Sequence, residues 1–235
     1  MFDRSRHKTI IIKILKAIYS DIELRSVLGF KGRTAAFLFY GLPRLSVDLD
    51  FDLLEIEKKK VVFSRLKKIL PEFGELIESR EKRYTLFFLI SYQKGEKKVK
   101  VEVSKRVSKS AFGVKNYLGI PVLVMKKEDM VAGKLSALLT RKKFAARDLF
   151  DLWFFLKNDW GINEKVVKAK TGLSLKMALS RAVKKIKKIK KNQLLQGLGE
   201  FLDDKQKPLV KKKMQEETLF YLKLMFAQSA QLVRP

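Results

Sequence analysis

The sequence predicts an α+β fold, a mixed sheet with flanking helices, followed by an α-helical domain. Two patterns predict it. Up to about residue 120, apolar runs with the alternation of strands are interleaved with segments of helical spacing, and from about residue 126 onward the spacing is helical throughout. The expected division is therefore residues 1–122 for the α/β domain and residues 123–235 for the helical domain.

Taken in order, Ile11, Ile14, Leu15, Ile18, Ile22 and Leu28 lie close to helical spacing and predict a helix over residues 8–28 that packs on the core. "LGFKGRTAAFLFYGL" then passes through a short apolar stretch and Gly32 into a helix-compatible run, which stops near Gly41, Leu42 and Pro43. "SVDLDFDLL" reads as a strand, and "KKKVVFSRLKKILPEFG" as an amphipathic helix ended by Pro71 and Gly74. "RYTLFFLISY" and "KVKVEVSKR", separated by "QKGEK", predict a β-hairpin with Gly95 in the turn. "KKEDMVAGKLSALLTRKKFAARDLFDLWFFLKN" predicts two helices joined near residues 141–144. Among the later helices, "RAVKKIKKIKK" (181–191) spaces Val183, Ile186 and Ile189 by three, which predicts one apolar stripe surrounded by lysines.

The chain has no cysteine and one histidine, so disulfides and thiolate metal sites are excluded and histidine-based metal or nucleophile chemistry is disfavoured. Any metal must be held by oxygen, and carboxylates suit Mg2+ or Mn2+. The N-terminus is basic and then apolar, but lysines and an aspartate interrupt it. It reads as an amphipathic helix, neither signal peptide nor membrane span, which places the expected protein in the cytoplasm. Lys and Arg number 52 against 25 Asp and Glu, a formal net charge of +27, so a polyanionic partner such as RNA is expected.

Against that excess, "RLSVDLDFDL" concentrates three carboxylates at alternate positions. On a strand, Asp48, Asp50 and Asp52 share one face at Cα spacings of roughly 6–7 Å, where like charges repel and call for a cation. That cation is either a divalent metal or a neighbouring Arg or Lys. The chain runs from a glycine turn at Gly32 into a helix, then to the Asp-x-Asp strand, then to a strand bearing Glu102 between valines. Each part has a task if the substrate is a nucleoside triphosphate (NTP). Amides at a helix N-terminus bind phosphate, paired carboxylates hold metal ions about 3.5–4 Å apart, and a third carboxylate completes the site or accepts a proton.

"FKGRTAAFLFYGLPRLSVDLDF" and "VAGKLSALLTRKKFAARDLFDLWFFL" together resemble the two motifs of the AbiEii-type nucleotidyltransferases, toxins of abortive-infection toxin–antitoxin systems within the DNA polymerase β-like superfamily. The resemblance spans about residues 28–156 and implies a nucleotidyltransferase-like sheet and transfer of a nucleoside monophosphate from an NTP to an acceptor hydroxyl. It further implies an RNA acceptor, tRNA being the expected one, and an antitoxin partner. It makes Asp48 and Asp50 the metal pair, and it sets Gly32, Thr34, Arg44 and Ser46 near the triphosphate. Lys134 and Asp148 match the later motif, Lys134 on a phosphate and Asp148 completing the catalytic site. The family usually carries two glycines where this chain has Gly32 and Arg33, and a cationic side chain there crowds the nucleotide or pairs with a phosphate.

Bland readings stand beside these. Asp52 serves equally as a strand cap, Glu102 as an exposed strand residue, and His7, Trp153 and Trp160 as packing. Lys184, Lys185, Lys187, Lys188, Lys190 and Lys191 form either an RNA-binding track or a solvated basic face. A non-catalytic nucleotide- or RNA-binding module with the same fold is the alternative function.

Overall fold

The computed structural model describes residues 3–44, 46–107 and 109–231, the side chains of 229–231 excepted. The chain divides into two compact units, Met1–Met125 and Lys126–Pro235.

In the first unit, α1 (Arg4–Ser20) is capped by Asp3, whose carboxylate accepts from Arg6 N at 2.9 Å, and it buries Ile11, Ile14, Leu15 and Ile18. The helix predicted over residues 8–28 ends early. Asp21 leaves the helix and its side chain accepts from Glu23 N and Leu24 N, starting a separate turn, α2 (Ile22–Arg25). Ile22 is consequently exposed, and Leu28 belongs to β1 (Leu28–Lys31). The chain turns at Gly32 into α3 (Gly32–Tyr40), which ends on Gly41 in the left-handed conformation. Then follow β2 (Asp48–Leu53), α4 (Lys59–Ile69), β3 (Glu75–Glu81), β4 (Thr85–Ser91), β5 (Val99–Ser104), β6 (Phe112–Tyr117) and β7 (Ile120–Met125).

The seven strands form one mixed sheet in the order β3-β4-β5-β2-β1-β7-β6, with parallel pairs at β2/β5 and β1/β7 and antiparallel pairs elsewhere. Sequence pattern predicts β2 and the β4/β5 hairpin and shows β1 only as an apolar stretch. It assigns no strand to β3, β6 or β7. The first two are the sheet edges, where half-exposed side chains weaken the alternation. On one face Leu49 and Phe51 pack with Phe30, Phe88, Val101 and Val103, all fully buried, and each large apolar side chain so buried contributes about 2 kcal/mol. Phe51 meets Phe30 at 5.2 Å between centroids, and α4 lays Phe63 on Phe88 at the same separation. Alternation then leaves Asp48 and Asp50 on the opposite face.

The second unit is helical: α5 (Lys127–Thr140), α6 (Ala146–Lys157), α7 (Glu164–Thr171), α8 (Leu175–Lys187) and α9 (Gln206–Gln231). Trp160 stacks on Phe155 at 4.3 Å, and Trp153 donates to Glu217 Oε2 at 2.9 Å, so both indoles serve packing. The lysine-rich stripe predicted across 181–191 is interrupted. Helix α8 stops at Lys187, because Gln215 of α9 donates to the carbonyls of Ile186 and Ile189 at 2.8 and 3.0 Å and closes its end. Lys190 and Lys191 lie beyond it. No helix among the described residues is long and apolar enough to cross a membrane.

Candidate active site

Strand register sets the site. Asp50 stands directly beside Glu102 of β5 on one side and Lys31 of β1 on the other, and Asp48 beside Lys100. Side chains paired in this way point to the same face, so Lys31, Asp50 and Glu102 form one row across three strands. The turn from β1 into α3 brings the helix start against that row. Gly32 has φ +76°, and a Cβ there would meet Asp50 Oδ2 at 2.5 Å, so conformation and space both require glycine. The first turn of α3 holds no acidic residue.

Arg33 supplies part of the positive charge that the aspartates demand. Its Nη2 lies 3.7 Å from Asp48 Oδ2. Lys31 forms an ion pair with Asp52, which is 3% exposed. Asp52 therefore neutralises a neighbouring lysine, close to the bland reading. The remaining carboxylates are under-compensated. Burial, and after it the negative charge of Asp48, pushes the Asp50 carboxyl up to about 6, against the opposing pull of Arg33 and Lys31. Asp48 Oδ1 is buried with no hydrogen-bond partner among the described residues.

These features fit a hard divalent cation. The donors are all oxygen, one is an orphaned buried carboxylate atom, and Mg2+ binds through one or two carboxylates with substrate phosphates completing its shell. The pair Asp48 and Asp50 is the fit. Among the described residues no group of three or more acidic or histidine side chains is gathered around a metal position, so two carboxylates are what the protein offers.

The other predicted nucleotide contacts, Thr34, Arg44 and Ser46, are buried. Thr34 is buried and its hydroxyl donates to the Asp48 carbonyl, tying α3 to the start of β2. Arg44 and Ser46 are each 2% exposed, and Ser46 Oγ has no hydrogen-bond partner among the described residues. His7 is fully buried. Its Nε2–H donates to the Val47 carbonyl (3.2 Å) while Nδ1 accepts from the Tyr92 hydroxyl (2.9 Å), so it orders the entry to β2, and burial lowers its pKa.

Lys134 and Asp148 meet within the helical unit. The ammonium of Lys134 on α5 lies 3.0 Å from Asp148 Oδ1 and 2.7 Å from Asp151 Oδ2 on α6, and Arg141 Nη1 lies 2.9 Å from Asp148 Oδ2. Lys134, predicted to grip a phosphate, is here clamped between two carboxylates. Sequence reasoning leaves Asp151, an ordinary acid at a helix start by its spacing, and Arg141 out of the site. The available signal was the three-residue spacing of Asp148 and Asp151, which puts both on one helical face. Of the six lysines predicted to bind RNA, Lys185 is engaged inside the unit, donating to the carbonyls of Leu139 and Arg141 at 3.3 and 3.2 Å and capping the end of α5. Lys184, Lys187, Lys188, Lys190 and Lys191 are exposed.

A family model described as "Nucleotidyl transferase AbiEii toxin, Type IV TA system" matches residues 13–224. Two crystal structures from Helicobacter pylori share the fold. A nucleotidyltransferase candidate aligns with TM-score 0.63 and 23% identity over 98% of this chain and 97% of its own. The protein JHP933 aligns with TM-score 0.59 and 22% identity over 100% of both. No curated protein matches the chain.

Proposed function

The chain belongs to the AbiEii nucleotidyl transferase toxin family of type IV toxin–antitoxin systems, and from that premise we propose that it moves a nucleoside monophosphate from an NTP to a hydroxyl of an RNA acceptor, tRNA being the expected one, in the cytoplasm. The observation that carries this reading is the under-compensated pair Asp48 and Asp50 set against the Gly32 turn at the start of α3, with Glu102 beside it.

Asp48 and Asp50 would hold Mg2+ or Mn2+. When bound, the metal supplies Lewis-acid polarisation of the phosphate and charge neutralisation. The absence of a side chain at Gly32 lets phosphate oxygens approach the backbone, and the N–H groups opening α3 favour negative charge there. Arg33, paired with Asp48, can swing its guanidinium onto a phosphate as an ion-pair partner. Glu102 takes the proton of the acceptor hydroxyl as its oxygen bonds to the α-phosphorus. The bond from that phosphorus to the bridging oxygen breaks, and pyrophosphate leaves. Such transfer depends on positioning and electrostatics more than on covalent participation by the protein. On this reading the Lys134–Asp148 pair orders the helical unit around the second family motif, and an antitoxin restrains the enzyme in the cell.

A non-catalytic nucleotide- or RNA-binding module is the second reading, favoured by the cationic Arg33 already in contact with Asp48. One experiment separates them. Folded protein is incubated with each α-labelled NTP, total RNA and Mg2+ or Mn2+. Incorporation of label that disappears in Asp50→Ala supports the enzyme, and no incorporation under any combination removes it.

A further inference from the structure

The row of side chains that passes through Asp50 and Glu102 does not end there. Glu102 is in register with Phe87 of β4, and Phe87 with Arg80 of β3. Phe87 therefore lies on the carboxylate face two strands from Asp50, about 10 Å away, or roughly three stacked bases at 3.4 Å each. Lys82 sits over the Phe87 ring, its Nζ 3.4 Å from the centroid. Immediately after it, in the tight connection from β3 to β4, come Arg83 and Tyr84. Tyr84 is 43% exposed, and its ring carries two guanidinium groups, Arg83 at 5.0 Å and Arg106 at 4.6 Å. Lys105 N donates to the Tyr84 carbonyl at 2.8 Å, which ties the segment after β5 to this turn. Arg106 also lines a depression with Leu54, Ile56, Glu57, Lys105 and Val107.

The charge of this cluster is not neutralised locally. Glu81 is taken by Lys105 and Lys59, and Glu78 by Arg80. Among the described residues Lys82, Arg83 and Arg106 have no carboxylate partner and are held instead against aromatic rings. A cation over a ring keeps its full charge toward solvent while its position is fixed. Phe87 is itself buried, 7% exposed, and serves to hold Lys82, so the exposed Tyr84 ring with the three cations around it combines what an unpaired strand requires: a planar surface for a base and positive charge for phosphates.

We propose that the β3–β4 turn and the start of the segment after β5, through Arg83, Tyr84 and Arg106 with Lys82 on Phe87, form the anchoring surface for a single-stranded RNA acceptor. The row Phe87–Glu102–Asp50 is the path from that surface to the carboxylates. This deepens the transferase reading and rests on it for the identity of the acceptor. It relocates acceptor capture from the lysines of residues 184–191, of which Lys185 is internally engaged, to the sheet that carries the aspartates. An acidic peptide would satisfy the charges but leave the exposed Tyr84 ring unused, which favours nucleic acid.

The test is anisotropy of a labelled single-stranded RNA 12-mer with the full chain, without NTP or metal, across a salt series. Arg83→Gln combined with Arg106→Gln should lower affinity at least tenfold at low salt and flatten the log–log salt slope by about 1.4, two phosphate contacts at about 0.7 each. Tyr84→Ala should lower affinity about tenfold with the slope unchanged, since stacking releases no counterions. Changing Lys184, Lys187 and Lys188 to Gln should cost less than either. The proposal is overturned if wild-type protein binds no RNA, if the hairpin variants bind like wild type, if the lysine-run variant alone loses binding, or if poly-glutamate competes with the same dependence on Tyr84. Measuring label transfer by the wild-type chain and by the hairpin variants beside this series separates the two claims. A chain that transfers no nucleotide but loses RNA with these variants keeps the surface and not the enzyme, and a chain that transfers label with RNA affinity unmoved keeps the enzyme and not the surface.

Discussion

Two clusters of charge in this molecule are built from the same residue types and balanced differently. On the α5–α6 pair, Lys134 and Arg141 meet Asp148 and Asp151 in three contacts of 2.7–3.0 Å, two cations against two anions. On the sheet face, the contact between Arg33 and Asp48 is 3.7 Å, Lys31 is committed to Asp52, and Asp50 has Glu102 beside it and Asp48 two residues back on its own strand, with its carboxyl pushed up to about 6. The helical cluster completes itself, whereas the sheet cluster is finished only when a cation arrives. Buried ion pairs of the first kind are costly to break, and carboxylate groups of the second kind destabilise the ligand-free fold and mark where binding energy is gained.

The comparison breaks most severely at Asp50. Asp50→Asn should lower label transfer by at least about 1000-fold, as expected for loss of a carboxylate that would hold the metal at the reacting phosphate, and yet raise the thermal stability of the ligand-free protein. The sign follows from linkage. An acid whose folded pKa is raised contributes stability below its unfolded pKa of 3.8, and that contribution is lost as pH rises through about 6. At pH 7.5 the ionised Asp50 therefore costs the fold about 2–3 kcal/mol, which Asn removes. Denaturant melts of wild type and Asp50→Asn at pH 7.5 should differ by that order and converge toward pH 4. Equal stability at every pH would show that Asp50 is already compensated.

Asp151→Ala should act in the opposite direction. Asp151 is fully buried with Lys134 Nζ 2.7 Å away, and its loss strands the ammonium with Asp148, itself shared with Arg141. The expected loss is about 3 kcal/mol of stability, read from the denaturant melt of the full chain. A variant as stable as wild type would remove the contrast between the clusters.

The smallest effect sharpens the comparison rather than breaking it. Arg33→Gly removes the cation nearest Asp48, so Mn2+ binding without nucleotide, followed by the paramagnetic resonance of free Mn2+, should tighten several-fold. Unchanged Mn2+ affinity would mean that Arg33 does not compete for the carboxylates.

The α+β class was legible because alternation in β2, β4 and β5 and helical spacing beyond residue 126 are local signals, each set by the period of the element. The edge strands β3 and β6 were not, since half-exposed strands keep no clean alternation, and the break of the first helix at Asp21 was hidden because a side chain capping its own backbone leaves no mark on apolar spacing.

For the candidate site, the sequence alone placed Asp48 and Asp50 on a common face and, through Gly32, a turn close before them, because a strand repeats every two residues and only glycine tolerates that turn. Only the tertiary structure decided what stands beside them. Glu102 lies 52 positions further along the chain and reaches Asp50 through a parallel β2/β5 pairing, while Lys31 reaches it through the antiparallel β1/β2 pair. Strand order and register arise from backbone hydrogen bonds between distant segments and from closing a shared apolar core. No local spacing specifies them, and so the charges around Asp50, and with them its protonation, belong to the fold.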